Sequence, residues 1–426
     1  MLAPTDLLNE ACQVLTANDR QSYSLASADQ TSTQALVNSC FFALGVSYRH
    51  PKRAIAEMNS LIKGQWQNGM IPSAMFHLDQ SYPAANDQWR SWISPFAPDQ
   101  VATTGITQLP LLAEAIVRVG KALDSSQRLK LYHQFYPVLV SFHQWLYRER
   151  DPKQQGLVVQ VHPAETALES SPAMMAELDN HPLNWWRKGL HQPSSSSTNN
   201  KLNSLVLSSV QQNLRRNGYN NQKILTSKAF AIQDVAFNAV LIRNNQLLKQ
   251  IASAINQSLP TSLLKAIKAS QTSFDSLWDP QSNQYCAREF HSNRILTEPS
   301  IGGLLALYSS VLSKERSTIL VDQLKQSDLF GANFPLSTVP INSSWYQAAN
   351  INQGAASPVI NWLLIDGLLR NGYQQEATVL RHNSLSMISS FGCYEAFNSD
   401  SGNGLGAANC ASTAAIAIDL MLNPIA

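Results

Sequence analysis

The chain has 426 residues, with 31 Lys and Arg set against 29 Asp and Glu for a formal net charge of +2. That balance excludes the basic footprint needed to hold nucleic acid or an anionic membrane surface. The absence of any window near 18 consecutive apolar residues excludes a membrane-spanning helix. Charged residues make up only 14% of the sequence, against roughly 25% in ordinary soluble domains; Gln, Asn and Ser take their place. The 44% hydrophobic content is enough for a sizeable core.

Residues Met1 to Asn18 mix Asp6, Asn9 and Glu10 into their apolar positions and lack the basic and apolar regions of a signal peptide. The five cysteines, Cys12, Cys40, Cys286, Cys393 and Cys410, are odd in number and contain no C-x-x-C pair. They read as buried free thiols of a reducing compartment, and the expected location is the cytoplasm.

Helical periodicity dominates the rest. Ile55, Met58 and Ile62 mark one face, with Gly64 as a stop. Leu112, Ala115, Ile116 and Val119 repeat the pattern up to Gly120. Val235, Ala239 and Ile242, then Leu248, Ile251 and Ile255, form a long stripe that ends before Pro260. Leu363 to Leu369 and Ala377 to Ile388 flank Asn371-Gly372, which reads as two antiparallel helices joined by a tight turn. Strand signals are few; Gly156-Leu-Val-Val-Gln-Val161 is the clearest, read as a short hairpin arm in a loop. Gln192 to Asn200, with four serines in a row, reads as a flexible surface loop near 190–202 rather than a domain boundary. No tetratricopeptide-type repeat is present. Many helix pairs without a fixed repeat suit an all-α (α/α)6 toroid over residues 1–426 as a single domain: six inner helices close a ring and six outer helices cover it.

Several chemical signatures are missing, among them H-E-x-x-H, C-x-x-C and the Walker loop. Gly402-Asn-Gly-Leu-Gly406 is glycine-rich, but no strand-to-helix unit surrounds it, so a plain loop is expected. His162 and His181 show no ligand spacing and read as hydrogen-bonders. What remains are polar-aromatic loop segments: Gly64-Gln-Trp-Gln-Asn-Gly-Met-Ile-Pro72 followed by Phe76-His77, and Thr103-Thr-Gly-Ile-Thr-Gln108 before a helix. Each fits either a helix-connecting loop or a set of groups that hold sugar hydroxyls.

Taken in order, these segments resemble glycoside hydrolase family 63, and within it the smaller mannosylglycerate and glucosylglycerate hydrolases. Asp234-Val-Ala-Phe-Asn-Ala-Val240 resembles the family's D-P-L-x-N-A-[IV] helix. Leu277-Trp-Asp279 and Asn361-Trp-Leu-Leu-Ile365 resemble its L-W-D turn and N-W-L-L-I helix. Tyr394-Glu-Ala-Phe397 with Gly404-Leu-Gly406 resembles its C-terminal segment. The resemblance runs from about residue 35 to about residue 421. It implies an inverting mechanism, in which two carboxylates stand about 6.5–9.5 Å apart with a water between the base and the anomeric carbon. His162 to Pro172 matches the stretch that carries the family's acid, and Glu169 falls where the family has Asp, one methylene longer. Glu395 matches the family's base. Gln65, Trp66, Asn68, His77, Gln108 and Gln353 fall at positions expected to hold the sugar. No metal or cofactor is required by this chemistry, and the expected partner is a small carbohydrate.

The departures cluster where the family lines its pocket. Its W-x-W-D-S reads Ala35-Leu-Val37-Asn-Ser39; Ala164 replaces a Trp beside the acid motif; W-R-G-P-V-W-P reads Asn352-Gln-Gly-Ala-Ala-Ser357-Pro358; and Ser412 stands for a late Trp. Each lost ring removes about 150–250 Å² of stacking surface, and Arg to Gln removes a charged bidentate donor. Packing positions such as Phe237 and Trp362 are kept. Trp89, Trp92, Trp185, Trp186 and Trp345 are available to rebuild stacking surface or to pack. The expected function is inverting hydrolysis of a small α-glycoside. A catalytically inactive sugar-binding or regulatory protein on the same fold is the alternative, and a helical scaffold without a ligand pit is a further one.

Overall fold

The computed structural model describes residues 4–28, 33–77, 82–166, 168–179, 197–227 and 230–423. In chain order its α-helices are α1 (Pro4–Asn18), α2 (Leu36–Ser47), α3 (Pro51–Leu61), α4 (Tyr82–Trp89), α5 (Leu112–Lys121), α6 (Ser125–Arg150), α7 (Pro172–Asp179), α8 (Ser197–Arg216), α9 (Asn221–Thr226), α10 (Val235–Ala254), α11 (Thr261–Ser273), α12 (Lys314–Lys325), α13 (Pro358–Arg370), α14 (Gln374–Phe391) and α15 (Ala411–Leu422), with a long 3-10 helix at Ile301–Ser309 between α11 and α12.

Composition sorts these helices into two layers. A helix that is apolar all round must be buried all round, whereas one with a single apolar stripe sits at the surface. In α15 every residue from Ala411 to Leu420 is buried, in α13 every residue from Ile360 to Leu368, and in the 3-10 helix every residue from Ile301 to Ser309. By contrast α11 buries only Leu263, Ile267 and Ser270, and α14 buries little beyond Ala377, Leu380, Ser384, Met387 and Ile388.

The inner elements form a closed ring. Going round it, α2 touches α5, α5 touches α10, α10 the 3-10 helix, the 3-10 helix α13, α13 α15, and α15 returns to α2. Gly45 makes the last contact possible: a Cβ there would lie 2.6 Å from the Ala415 backbone. Each inner element is paired with the outer helix that follows it, α3, α6, α11, α12 and α14 in turn, and α1 closes the set by packing on α15. The (α/α)6 toroid expected from the sequence is therefore the fold of the chain.

The two faces of the ring differ. Inner-to-outer connections are short: residues 48–50, 122–124, 255–260, 310–313 and 371–373. Asp124 and Ser313 cap their helices by accepting from Gln127 N (2.8 Å) and Arg316 N (3.2 Å), and Gly372, at φ +84°, supplies the left-handed residue of the expected Asn371-Gly372 turn. The outer-to-inner connections 62–111, 151–234, 274–300, 326–357 and 392–410 are long, and all emerge at the N-terminal ends of the inner elements. Loops on one face of a rigid scaffold are where binding and chemistry concentrate. Among the described residues no strand exceeds three residues, and small antiparallel sheets pin these long loops together: Thr33–Ala35 with Ala74–Phe76 and Ala102–Thr103, Ile232–Gln233 with Ala287–Glu289 and Ile295–Leu296, and Ala396–Phe397 with Gly404–Leu405.

Two local expectations need correction. Gly156–Val161 is an extended segment, not a hairpin arm; its one bridge runs from Gln160 to Ile232, far along the chain. Of the loop expected near 190–202, residues 190–196 lie outside the described residues, and 197–202 form the first turns of α8.

Candidate active site

Glu169 sits in the long connection 151–234, just before α7. The local frame is built around Glu165, which is fully buried and accepts four hydrogen bonds: Arg150 donates from both Nη atoms at 2.7 Å, Thr107 N at 3.1 Å and Val161 N at 2.8 Å. Arg150 is the last residue of α6 and Thr107 precedes α5, so this carboxylate ties the loop to two hairpins of the ring. His162 begins the next turn, its Nδ1 accepting from Ala164 N at 3.1 Å. Burial holds the His162 pKa down at about 4, with Glu165 opposing. This is the hydrogen-bonding role expected of His162, with a neutral ring. His181 lies outside the described residues.

Past this frame the chain turns outward. Glu169 is exposed, yet its pKa is raised, first by desolvation and second by the charge of Glu395. The field of Glu395 acting on it brings the two carboxyls of the sequence-based expectation into one neighbourhood.

Glu395 lies in the connection between α14 and α15, one residue before the Ala396–Phe397 strand. Its Oε2 accepts from Ala407 N at 3.2 Å, and its own amide donates to Ala407 O at 3.0 Å. Gly406, at φ +70°, passes directly beneath the carboxylate. Thr413, in the first turn of α15, donates to Tyr394 O at 2.7 Å, and Cys410 N donates to Cys393 O at 2.7 Å. The hairpin is thus locked to the start of an inner helix, and Gly402–Gly406, expected as a plain loop, instead carries its Gly404–Leu405 strand.

The other six expected residues divide. Trp66 is 2% exposed, donates from Nε1 to Thr103 Oγ1 at 3.0 Å and meets Tyr219 edge to face; it is a packing residue, and its ring offers no face to a sugar. Gln65 donates to Gly69 O (3.0 Å) and Val138 O (3.2 Å), which fastens its loop to α6. Asn68 closes the turn by accepting from Met70 N at 3.2 Å. Their segment looked like a pocket wall because turn-forming and sugar-binding residues are the same polar types. His77 stacks on Tyr23 with centroids 3.5 Å apart and lies 3.3 Å from Gln34 Oε1. Gln108 is half-buried, and its Oε1 accepts from Val37 N at 3.4 Å at the start of α2. Gln353 is 8% exposed and donates to Ser170 O at 2.9 Å, next to Glu169.

The positions where the resemblance expects rings gather at the inner-helix starts. Ala35 and Ser357 are the residues immediately before α2 and α13, Val37 is in the first turn of α2, and Ser412 is in the first turn of α15. Ser412 Oγ bonds Asn38 Oδ1. Ala164 lies in the frame below Glu169, and Asn352 takes a left-handed conformation at φ +68°. Of the tryptophans offered as replacements, Trp89 is partly buried with its ring centroid 6.0 Å from that of His162, Trp92 is 64% exposed, and Trp345 packs on a small apolar cluster under α7 and α8. Trp185 and Trp186 lie outside the described residues. Sequence reasoning missed Glu165 and Arg150, because their value depends on contacts between separate loops.

Comparison with known proteins agrees with this fold. Residues 32–412 match the model of the mannosylglycerate hydrolase MGH1-like glycoside hydrolase domain. The chain is 28% identical over 434 residues to a mannosylglycerate hydrolase of Rubrobacter radiotolerans, covering 98% of this chain and 97% of that one. It is 26% identical over 418 residues to mannosylglycerate hydrolase MGH2 of Selaginella moellendorffii, covering 96% and 84%. Its fold superposes with a TM-score of 0.86 on a GH63 mannosylglycerate hydrolase from Thermus thermophilus in complex with Tris and D-glycerate, at 25% identity over 98% of this chain and all of that one. A family match of this extent, on a closed six-hairpin ring, places the chain in the MGH1-like glycoside hydrolase domain family, of GH63 type.

Proposed function

We propose that this chain hydrolyses a small α-glycoside of glycerate with inversion at the anomeric carbon. The observation that supports the proposal is that the loops carrying Glu169 and Glu395 are both fastened to Gln353–Ala356, with the Glu169 carboxyl pushed toward its protonated form by desolvation and by the charge of Glu395. A carboxyl held toward its protonated form is what the acid of such a pair requires. Glu169 protonates the leaving oxygen as the glycosidic bond breaks. Glu395, its Oε2 fixed by Ala407 N, takes a proton from the attacking water. Transfer of the substrate class rests on relatives named mannosylglycerate hydrolases and on a related structure holding D-glycerate. Gln108, which precedes α5 and meets Val37 at the start of α2, is the remaining candidate for a sugar hydroxyl. The reaction needs neither metal nor organic cofactor, and the free thiols among the described residues suit a cytoplasmic enzyme.

The test is incubation of the purified protein with α-mannosylglycerate, α-glucosylglycerate and simple α-mannosides and α-glucosides, followed by proton NMR of the first sugar released. The β-anomer appearing first, with release abolished in Glu169→Gln and Glu395→Gln, is expected. Thermal stabilisation by these glycosides without turnover would instead establish the sugar-binding alternative favoured by the lost rings.

A further inference from the structure

The two carboxyls sit on different long loops, so something must set the gap between them. One short segment touches both. Gln353 Nε2 donates to Ser170 O at 2.9 Å, one residue beyond Glu169. Three residues later Ala356 exchanges both backbone hydrogen bonds with Phe397, at 2.8 and 2.9 Å, two residues beyond Glu395. We infer that Gln353–Ala356 is the spacer that fixes the separation of the acid and the base, with Gln353 as the positioning residue at the acid end. This rests on the roles proposed above for Glu169 and Glu395.

The segment is built for rigidity. Ala355 and Ala356 are 1% and 0% exposed. Gly354 N donates to Thr338 Oγ1 at 2.8 Å, and Gln347 N donates to Gln353 O at 2.8 Å. The Gln353 amide is held at its oxygen too, accepting from Asn350 Nδ2 at 2.9 Å, so its N–H faces Ser170 in a fixed direction. From residue 353 to 356 an extended chain spans at most roughly 10–11 Å, on the scale of the about 6.5–9.5 Å that separates the carboxyls of inverting hydrolases. The expectation that Gln353 binds sugar is thereby replaced: its amide is spent on the acid loop.

Gln353→Glu is the test, because it keeps size and shape but removes the donor and sets a carboxylate against the Ser170 carbonyl. The expected result is a fall in kcat of about 100-fold, the cost of roughly 1 Å misplacement, with KM within about twofold of wild type. Amide hydrogen exchange should rise in peptides covering 168–175 and stay unchanged in α2, α5 and α13. A raised KM with kcat retained would make Gln353 a substrate ligand and overturn the inference, as would unchanged exchange at 168–175. If Glu169→Gln and Glu395→Gln abolish turnover while Gln353→Glu does not lower kcat, the spacer fails and the hydrolase stands. If wild type turns over none of the glycosides, the hydrolase reading fails and the exchange measurement alone decides whether Gln353 holds the loop.

Discussion

Gly406 leaves room for Glu395: a Cβ built on Gly406 would lie 2.4 Å from the carboxylate Oε2 and 3.0 Å from Cβ of the same residue. Gly406 also holds φ at +70°, where an L-residue pays about 1–2 kcal/mol. The Gly406→Ala substitution therefore has two effects of different size. Folding loses about 1–2 kcal/mol, small against the whole toroid. Glu395, the proposed base, is displaced by the new methyl, and turnover should fall by about 100-fold or more. Parallel measurement of thermal unfolding and kcat checks this; an alanine variant with full activity would show that Glu395 does not need its observed position.

The raised pKa of Glu169 gives a pH prediction with a definite sign. A general acid works only while protonated, so the alkaline limb of the rate profile should lie above the ordinary carboxyl value of 4.5. Desolvation is the main cause and Glu395 the second, so removing the charge in Glu395→Gln should lower the Glu169 pKa, measurable by carboxyl-carbon NMR titration. Stability follows the same logic. Because the folded pKa is raised, the protonated form favours folding at pH below 4.5, and that contribution is lost as pH rises through the folded value. Glu169→Gln should thus match wild type in acid and gain on it toward pH 8. A gain that shrinks as pH rises would contradict the burial described here.

Glu165 presents the opposite case, a carboxylate whose partners are all in place. Replacing it by Gln leaves Arg150, 2% exposed at its side chain, with its charge uncompensated in the interior. Breaking a buried pair from one side costs about 3–5 kcal/mol. The loss should appear in denaturant unfolding, and kcat should fall as well, since Thr107, Val161 and the turn leading to Glu169 all hang on this group. Destabilisation below about 1 kcal/mol would show that the pair is redundant.

The ring itself was readable from the chain because helix burial writes apolar stripes, as in Leu112, Ala115, Ile116 and Val119 and in Val235, Ala239 and Ile242. Helix ends at Gly64, Gly120 and Asn371-Gly372 were readable for the same local reason: turn chemistry depends on neighbours in sequence. The two carboxyls were legible only through resemblance, since a lone Glu in a loop has the same local pattern whether solvated or catalytic. Gln65, Trp66 and Asn68 are ambiguous in the sequence because a turn that packs a tryptophan and a pocket that stacks a sugar draw on the same residues. The Gln353–Ser170 hydrogen bond was not legible in the sequence, because it joins residues 183 positions apart.

A second polar network lies toward the short-turn end of the ring, and it separates stability from catalysis. Arg118 of α5 bonds Glu114 and Asp366, both at 2.8 Å, and lies 5.4 Å from the Trp362 ring centroid. Trp362 Nε1 donates to Asp419 Oδ2 at 2.7 Å, and Tyr48 donates to Asp419 Oδ1 at 2.6 Å. Tyr48, Asp366 and Asp419 stand near the C-terminal ends of α2, α13 and α15, away from the face that carries Glu169 and Glu395. Arg118→Met keeps the aliphatic stem and removes two charge-assisted hydrogen bonds, while Arg370 stays on Asp366 and Glu114 and Arg243 on Glu114. Stability should drop by about 1.5–3 kcal/mol, while kcat and KM measured well below the unfolding transition should stay within about twofold of wild type. A large fall in kcat with little loss of stability would mean that the far end of the ring is coupled to the pair of carboxyls, contrary to the separation seen here.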